Sequence, residues 1–192
     1  MPVKKIDKDY ILQESFKLFR NKSFYNTSMS DIAEACGIQK GSLYHYFSSK
    51  EALMIEVIKL THNHFKEKIF SIAYADDIEE LQRAEKMFQR TEEMFIRKNE
   101  GNLIGNIGIE TARIYPEFAP LIQEFYKDWK AAIQYIIKDL VEARLHDNVV
   151  ELVITEIEGA LTLMRIFKDP GYLKRANARI YRRFSRMIKQ NN

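Results

Sequence analysis

The sequence predicts an all-α protein in which a small three-helix head precedes a longer helical body. Apolar residues recur at helical spacing almost throughout, and no stretch shows convincing period-2 alternation. Only 7 Gly and 4 Pro occur in 192 residues, and they cluster near apparent helix boundaries, which favours long helices over many turns.

The first helix is expected over Ile6 to Lys22, with Ile11, Leu12, Phe16 and Phe19 on one face. The second begins at Ser28, whose hydroxyl can cap the end while Asp31 stands at the third helical position. It ends at Cys36-Gly37, where glycine can take the left-handed conformation of a sharp stop. A short third helix covers Lys40 to Phe47, and Ser48-Ser49-Lys50-Glu51 then reads as a Ser-x-x-Glu capping box. That box opens a fourth helix running towards Phe70. Two short helices joined by a four-residue turn containing Gly form a helix-turn-helix layout. Further helices are expected over 77–98, 103–114, 117–145, 149–167 and 171–188. Breaks fall at Ala75-Asp76, Glu100-Gly101, Tyr115-Pro116, Asp147-Asn148 and Asp169-Pro170-Gly171. The expected domains are 1–50 and 51–192.

Hydrophobic residues make up 46% of the chain, enough for a sizeable core. No apolar run approaches the roughly 18 residues of a membrane span, and the first residues lack a signal-peptide core, so no membrane association is expected. Cys36 is the single cysteine, which rules out an intrachain disulfide and suits a cytoplasmic protein. The net charge of +3 is unevenly spread: +3 over residues 1–50, −7 over 51–170 and +7 over 171–192. A basic start, an acidic middle and a basic end fit a phosphate-facing module mounted on a body with another task.

Three runs carry a specific resemblance. They are Ile11-Leu12-Gln13-Glu14-Ser15-Phe16-Lys17-Leu18-Phe19, then Thr27 to Ile38, then Lys40-Gly41-Ser42-Leu43-Tyr44-His45-Tyr46-Phe47-Ser48-Ser49-Lys50-Glu51-Ala52-Leu53. Nearly continuous over about forty-five residues, they resemble the DNA-binding signature of the TetR family of bacterial transcription regulators. Ile32, Ala33, Ile38, Leu43 and Phe47 are spaced to pack the two short helices together. Gly41 lets the third helix approach a duplex, and Ser42, Tyr44, His45 and Tyr46 project towards base edges and backbone. Lys40 and Lys50 flank that helix as phosphate contacts, and Thr27, Ser28 and Ser30 bring hydroxyls to the DNA backbone from the second. Tyr44 has an alternative, packing against the fourth helix. Ser23 stands where the family usually has Gly, so a left-handed turn there costs roughly 1 kcal/mol. Cys36 stands where the family usually has Ala, and reads as a small packing residue.

The resemblance also implies a homodimer, double-stranded operator DNA as partner and a small-molecule effector, with repression relieved by that effector as the common mode. The stripes on the two long helices, including Ile133, Ile137, Val153, Ile157, Ala160 and Met164, suit a dimer bundle, with Gly159 and Ala160 as a point of close approach. Asn106, Glu110 and Arg113, amid Phe88, Tyr126 and Trp129, suit an apolar pocket with a few orienting polar groups. Aromatic residues at this spacing equally suit a core, and Glu110 with Arg113 an ordinary ion pair. Gly101 to Asn106 is similar to a pocket segment of one subgroup that often has Cys at the Asn102 position, so thiol sensing is not expected there. The basic last helix carries its own apolar stripe through Leu173, Ile180 and Phe184, which suits docking on an acidic body.

Nothing points to catalysis, a cofactor or a metal. His62 and His64 are two apart on a helix and point different ways, and neither a Gly-rich phosphate loop nor a Gly-x-Ser-x-Gly elbow is present. The alternatives are a regulator-fold protein acting as a partner-binding module, or a helical enzyme built on Glu110 and a His.

Overall fold

A computed structural model describes residues 6–97, 103–111 and 114–191. Among the described residues the chain is all-helical, as expected, in the order α1 (Lys8–Lys22), α2 (Met29–Cys36), α3 (Lys40–Tyr46), α4 (Lys50–Lys68), α5 (Glu80–Glu92), α6 (Leu103–Thr111), α7 (Ala119–Ile137), α8 (His146–Phe167) and α9 (Gly171–Asn191). The expected break at Glu100-Gly101, the Asn102 position and Arg113 lie outside the described residues.

Local chemistry sets the ends of the first helices. Asp7 caps α1, its carboxylate accepting from the Tyr10 amide at 2.9 Å, so the helix starts at Lys8 rather than Ile6. Ser28 and Asp31 form the reciprocal box expected of them: the Asp31 amide donates to Ser28 Oγ at 3.1 Å and the Ser28 amide to Asp31 Oδ2 at 2.8 Å. Gly37 ends α2 at φ 69°, with its amide on the Glu34 carbonyl and the Ile38 amide on the Ala33 carbonyl, both at 3.0 Å. That pair of bonds is a Schellman motif, and it aims α3 away from α2.

Several expected boundaries move. Ser49, not Ser48, caps α4, accepting from the Ala52 amide at 3.1 Å, so the third helical position is Ala52 and the Ser48/Glu51 box is replaced by a single cap bond. The helix expected over 77–98 becomes α5 followed by a π-helical turn, Glu93–Arg97. The helix expected over 117–145 stops at Ile137, because the amides of Leu140 and Val141 both fold back onto the Ile137 carbonyl and bring Leu140 into the core. Arg144 therefore lies beyond α7 and pairs with Glu142 in a short 3-10 turn before α8.

The chain forms two compact units, 1–63 with 103–122, and 64–102 with 123–192. The division differs from the expected 1–50 and 51–192, since α6 packs with the head and α4 crosses from one unit into the other. In unit 1, Ile11, Leu12, Phe19, Ile32, Ala33, Leu43, Phe47, Leu53 and Val57 are buried together with Phe24, and Cys36 faces the same core. Unit 2 is centred on the rings of Phe65, Phe70, Phe95, Phe125 and Trp129, with Phe65 and Phe125 edge to face at 5.1 Å.

Candidate nucleic-acid interface

Helix α3 divides its side chains between core and surface. Leu43 within it and Phe47 just after it are buried, which fixes the helix by its inner edge. The remaining positions, Lys40, Gly41, Ser42, Tyr44, His45 and Tyr46, are exposed and share the outer surface. Tyr44 and Tyr46 keep 45% and 44% of their area in solvent. The Tyr46 hydroxyl donates to the Ile6 carbonyl at 3.4 Å. No acidic side chain interrupts α3, so its outer surface offers hydroxyls, an imidazole, an ammonium group and exposed backbone, the groups that meet base edges and phosphates. A Cβ added at Gly41 would meet nothing within 4 Å beyond its own chain neighbours and helix backbone. The glycine therefore serves no internal packing, and the surface over it is open to close approach from outside.

The start of α2 is different. Ser30 is exposed, while Ser28 is engaged in its cap. The Asp31 carboxyl is held well below its usual range, first by the Ser28 hydroxyl, then by the Ser28 amide, then by Lys22 at 3.2 Å. Thr27 departs from its expected role: it is 1% exposed, and its hydroxyl donates to the Ser23 carbonyl at 2.7 Å across the turn. Lys50 also turns inward. Its ammonium donates to the Phe24 carbonyl at 2.9 Å and lies 4.2 Å from the Phe24 ring centroid, so it braces the turn before α2 rather than standing free for phosphate.

Ser23 takes φ 72° and ψ 167°, a region that favours glycine. The conformation is held by three bonds: the Ser23 amide to the Phe19 carbonyl at 3.0 Å, Thr27 Oγ1 to the Ser23 carbonyl, and Asn26 Nδ2 to Ser23 Oγ at 3.2 Å.

The residues expected around an effector are divided between the two units. Phe88 and Trp129 line a cavity of about 20 Å3 within unit 2, together with Met87, Thr91, Ile133 and Val153. Tyr126 stacks near Trp129 with ring centroids 6.0 Å apart, and its hydroxyl donates to Glu158 at 2.9 Å. Asn106 and Glu110, by contrast, belong to unit 1. Both oxygens of Glu110 accept backbone amides, Oε2 from Phe24 at 3.3 Å and Oε1 from Tyr25 at 2.8 Å, so the carboxylate is a structural clamp rather than a pocket group.

The residues assigned to a dimer face are redistributed in the same way. Ile133, Ile137, Val153, Ile157 and Ala160 are already buried within unit 2, and Met164 is half-buried. Gly159 is exposed with open space above it, and Leu152, Leu163, Ile166 and Phe167 accompany it on the outer side of α8. Ile166 and Phe167 keep 65% and 61% of their area in solvent, an exposed apolar surface in which sequence periodicity did not single out Ile166. Gln39 and Ser48, at either end of α3, are exposed as well.

Residues 11–57 match the model of bacterial regulatory proteins, tetR family. The regulator YuxN of Bacillus subtilis is 39% identical over 61 residues, which cover 32% of this chain and 20% of that protein. The chain thus spans about a fifth of the length of the first curated relatives it matches. The transcriptional regulator LmrA of the same bacterium is 28% identical over 130 residues, covering 66% of this chain and 69% of LmrA. In overall fold the chain is similar to a TetR transcriptional regulator from Legionella pneumophila, with a TM-score of 0.83 at 19% identity over 94% of this chain and 97% of that one. A regulatory protein TetR from Rhodobacter sphaeroides gives 0.82 at 19% identity, over 91% and 96%.

Proposed function

We propose that this chain, which belongs to the tetR family of bacterial regulatory proteins, is a transcription regulator that works as a homodimer on double-stranded operator DNA. Each copy of α3 enters a major groove of an inverted-repeat site, and a small, largely apolar effector bound in unit 2 lowers affinity for that site. One observation carries the reading: α3 is anchored by Leu43 and Phe47 and turns Lys40, Gly41, Ser42, Tyr44, His45 and Tyr46 outward. KstR2 of Mycolicibacterium smegmatis, 40% identical over 52 residues, is named a repressor, which supports repression as the mode here.

Dimerisation is supported by the outer side of α8, where Leu152, Gly159, Leu163, Ile166 and Phe167 would pack against a second copy. Effector control is supported by an apolar cavity walled by aromatic and aliphatic groups. Its volume of about 20 Å3 favours a second reading, a regulator without effector, because that space holds about one water. Binding of an effector therefore requires unit 2 to open, and a thermal-shift screen of apolar compounds separates the two readings.

Selection of bound duplexes from a random pool tests the main proposal. The expected product carries two inverted half-sites whose centres lie about one helical turn, or a multiple, apart. A single unrepeated site bound by one copy contradicts it.

A further inference from the structure

The turn between α1 and α2 is gripped from elements far away in sequence. The Ser23 and Thr27 amides find backbone acceptors in Phe19 and Phe24. Between them, the Phe24 and Tyr25 amides instead donate to the two oxygens of Glu110 on α6, at 3.3 and 2.8 Å. On the other side of the same residue, the Phe24 carbonyl accepts from the Lys50 ammonium at 2.9 Å. A carboxylate thus holds the N–H side of Phe24 and an ammonium holds its C=O side, and both bonds are charge-assisted. The Phe24 ring is wholly buried, edge-on to Tyr115 at 5.1 Å and Phe118 at 5.5 Å.

We infer that Glu110 is a positioning residue for DNA reading: it fixes the α1–α2 turn from α6 and so sets where α2 and α3 stand on the duplex. This rests on the DNA-binding reading proposed above. Three facts connect the clamp to the reading surface. The clamped residues directly follow Ser23, whose positive-φ backbone relaxes unless its surroundings hold it. With only Asn26 between, they precede Thr27 and Ser28, which tie the turn to the first turn of α2. The Schellman motif at Gly37 then passes the direction of α2 to α3. A shift at Phe24 and Tyr25 therefore becomes a shift of the residues that face DNA.

The chain reaches α6 only after passing through unit 2, since residues 64–102 belong to that unit and 103–122 to unit 1. Glu110 is thus the head's grip on a segment that enters it from the body by chain connection, separately from α4. Glutamine at this position keeps one acceptor oxygen and leaves one amide without its partner, and alanine leaves both.

The test uses the full chain and a duplex recovered by the wild-type protein from a random pool. Glu110→Ala should speed hydrogen exchange at the Phe24 and Tyr25 amides and weaken duplex binding by about tenfold or more, with Glu110→Gln between it and wild type. Ile107→Val, which removes one buried methyl from the same helix and leaves the carboxylate in place, serves as the stability control. Duplex binding by that control should stay at the wild-type level. The inference is overturned if Glu110→Ala and Glu110→Gln bind the duplex as wild type does, or if the control loses affinity equally at the same loss of stability. Failure of the wild-type protein to retain any duplex would instead remove the DNA-binding reading on which the inference rests.

Discussion

Helices α2 and α3 of unit 1 and helices α8 and α9 of unit 2 are all amphipathic, yet they are held by different means. The first two have 8 and 7 residues, well short of the length at which an isolated helix persists in water. They depend on particular groups at particular places: the Ser28/Asp31 box, the Gly37 turn, the Glu110 clamp and the inward Leu43. Helices α8 and α9 have 22 and 21 residues and are held by long apolar stripes in which many contacts share the load. A head built this way presents each outward side chain at one defined place, as reading a base sequence requires. A body built this way tolerates change along its length, which suits the effector site proposed for it.

The contrast can be broken most strongly at Leu43. Leu43→Ala removes a fully buried anchor from a seven-residue helix and should cost about 2–5 kcal/mol in unit 1. Urea unfolding should show the loss, and duplex binding should disappear while most helical signal from α8 and α9 remains. Simultaneous loss of all helical signal would mean that the head and body do not differ in this way.

On the body the sensitive surface is the exposed one. Asp in place of Phe167 leaves the core untouched and should cost a homodimer about 2 kcal/mol or more, seen as monomer by light scattering at concentrations where wild type is dimeric. An unchanged mass would move the interface elsewhere.

Ser23→Gly should have the opposite sign from most substitutions. It relieves positive-φ strain and should stabilise unit 1 by about 1 kcal/mol, offset in part by the lost Asn26 bond. A lower urea midpoint would show that the Ser23 hydroxyl matters more than its backbone.

The smallest effect concerns pH. The folded-state pKa of Asp31 is depressed, so its contribution is present above the ordinary value of 3.8 and is lost as pH falls below it. Asp31→Asn should therefore be less stable than wild type at neutral pH, with the gap closing as the solution is acidified below that value. A gap that stays constant with pH would show that the charge of Asp31 has no part in the cap.

Much of unit 1 was legible because its structure is written in local signals. The Ser28 cap, the Gly37 turn, the inward Leu43 and the outward Ser42, His45 and Tyr46 all follow from spacing within ten residues. The departures from local expectation there fall where local signals compete or contacts are distant. Ser48 and Ser49 are both good caps, and only packing selects the second. Thr27 and Lys50 carry DNA-contacting chemistry but are drawn to the Ser23 and Phe24 carbonyls. Glu110 finds its partners 85 and 86 residues away, which no periodicity reveals. In the body, α8 is apolar on two sides, and periodicity alone did not show that Val153 and Ile157 face inward while Leu163 and Ile166 face out.

The central claim is that the outer surface of α3 meets DNA at close range, and Gly41→Ala tests it most directly. Nothing beyond the neighbouring residues and the backbone of α3 lies within 4 Å of the added methyl, and alanine favours a helix over glycine by roughly 1 kcal/mol. The variant and the wild-type protein would be titrated by fluorescence anisotropy with the selected duplex, with thermal unfolding of each measured in parallel. The account predicts a thermal midpoint equal to or above that of wild type, together with duplex affinity reduced by about tenfold or more, since the methyl enters the space the duplex occupies. Undiminished affinity in a stable variant would contradict it.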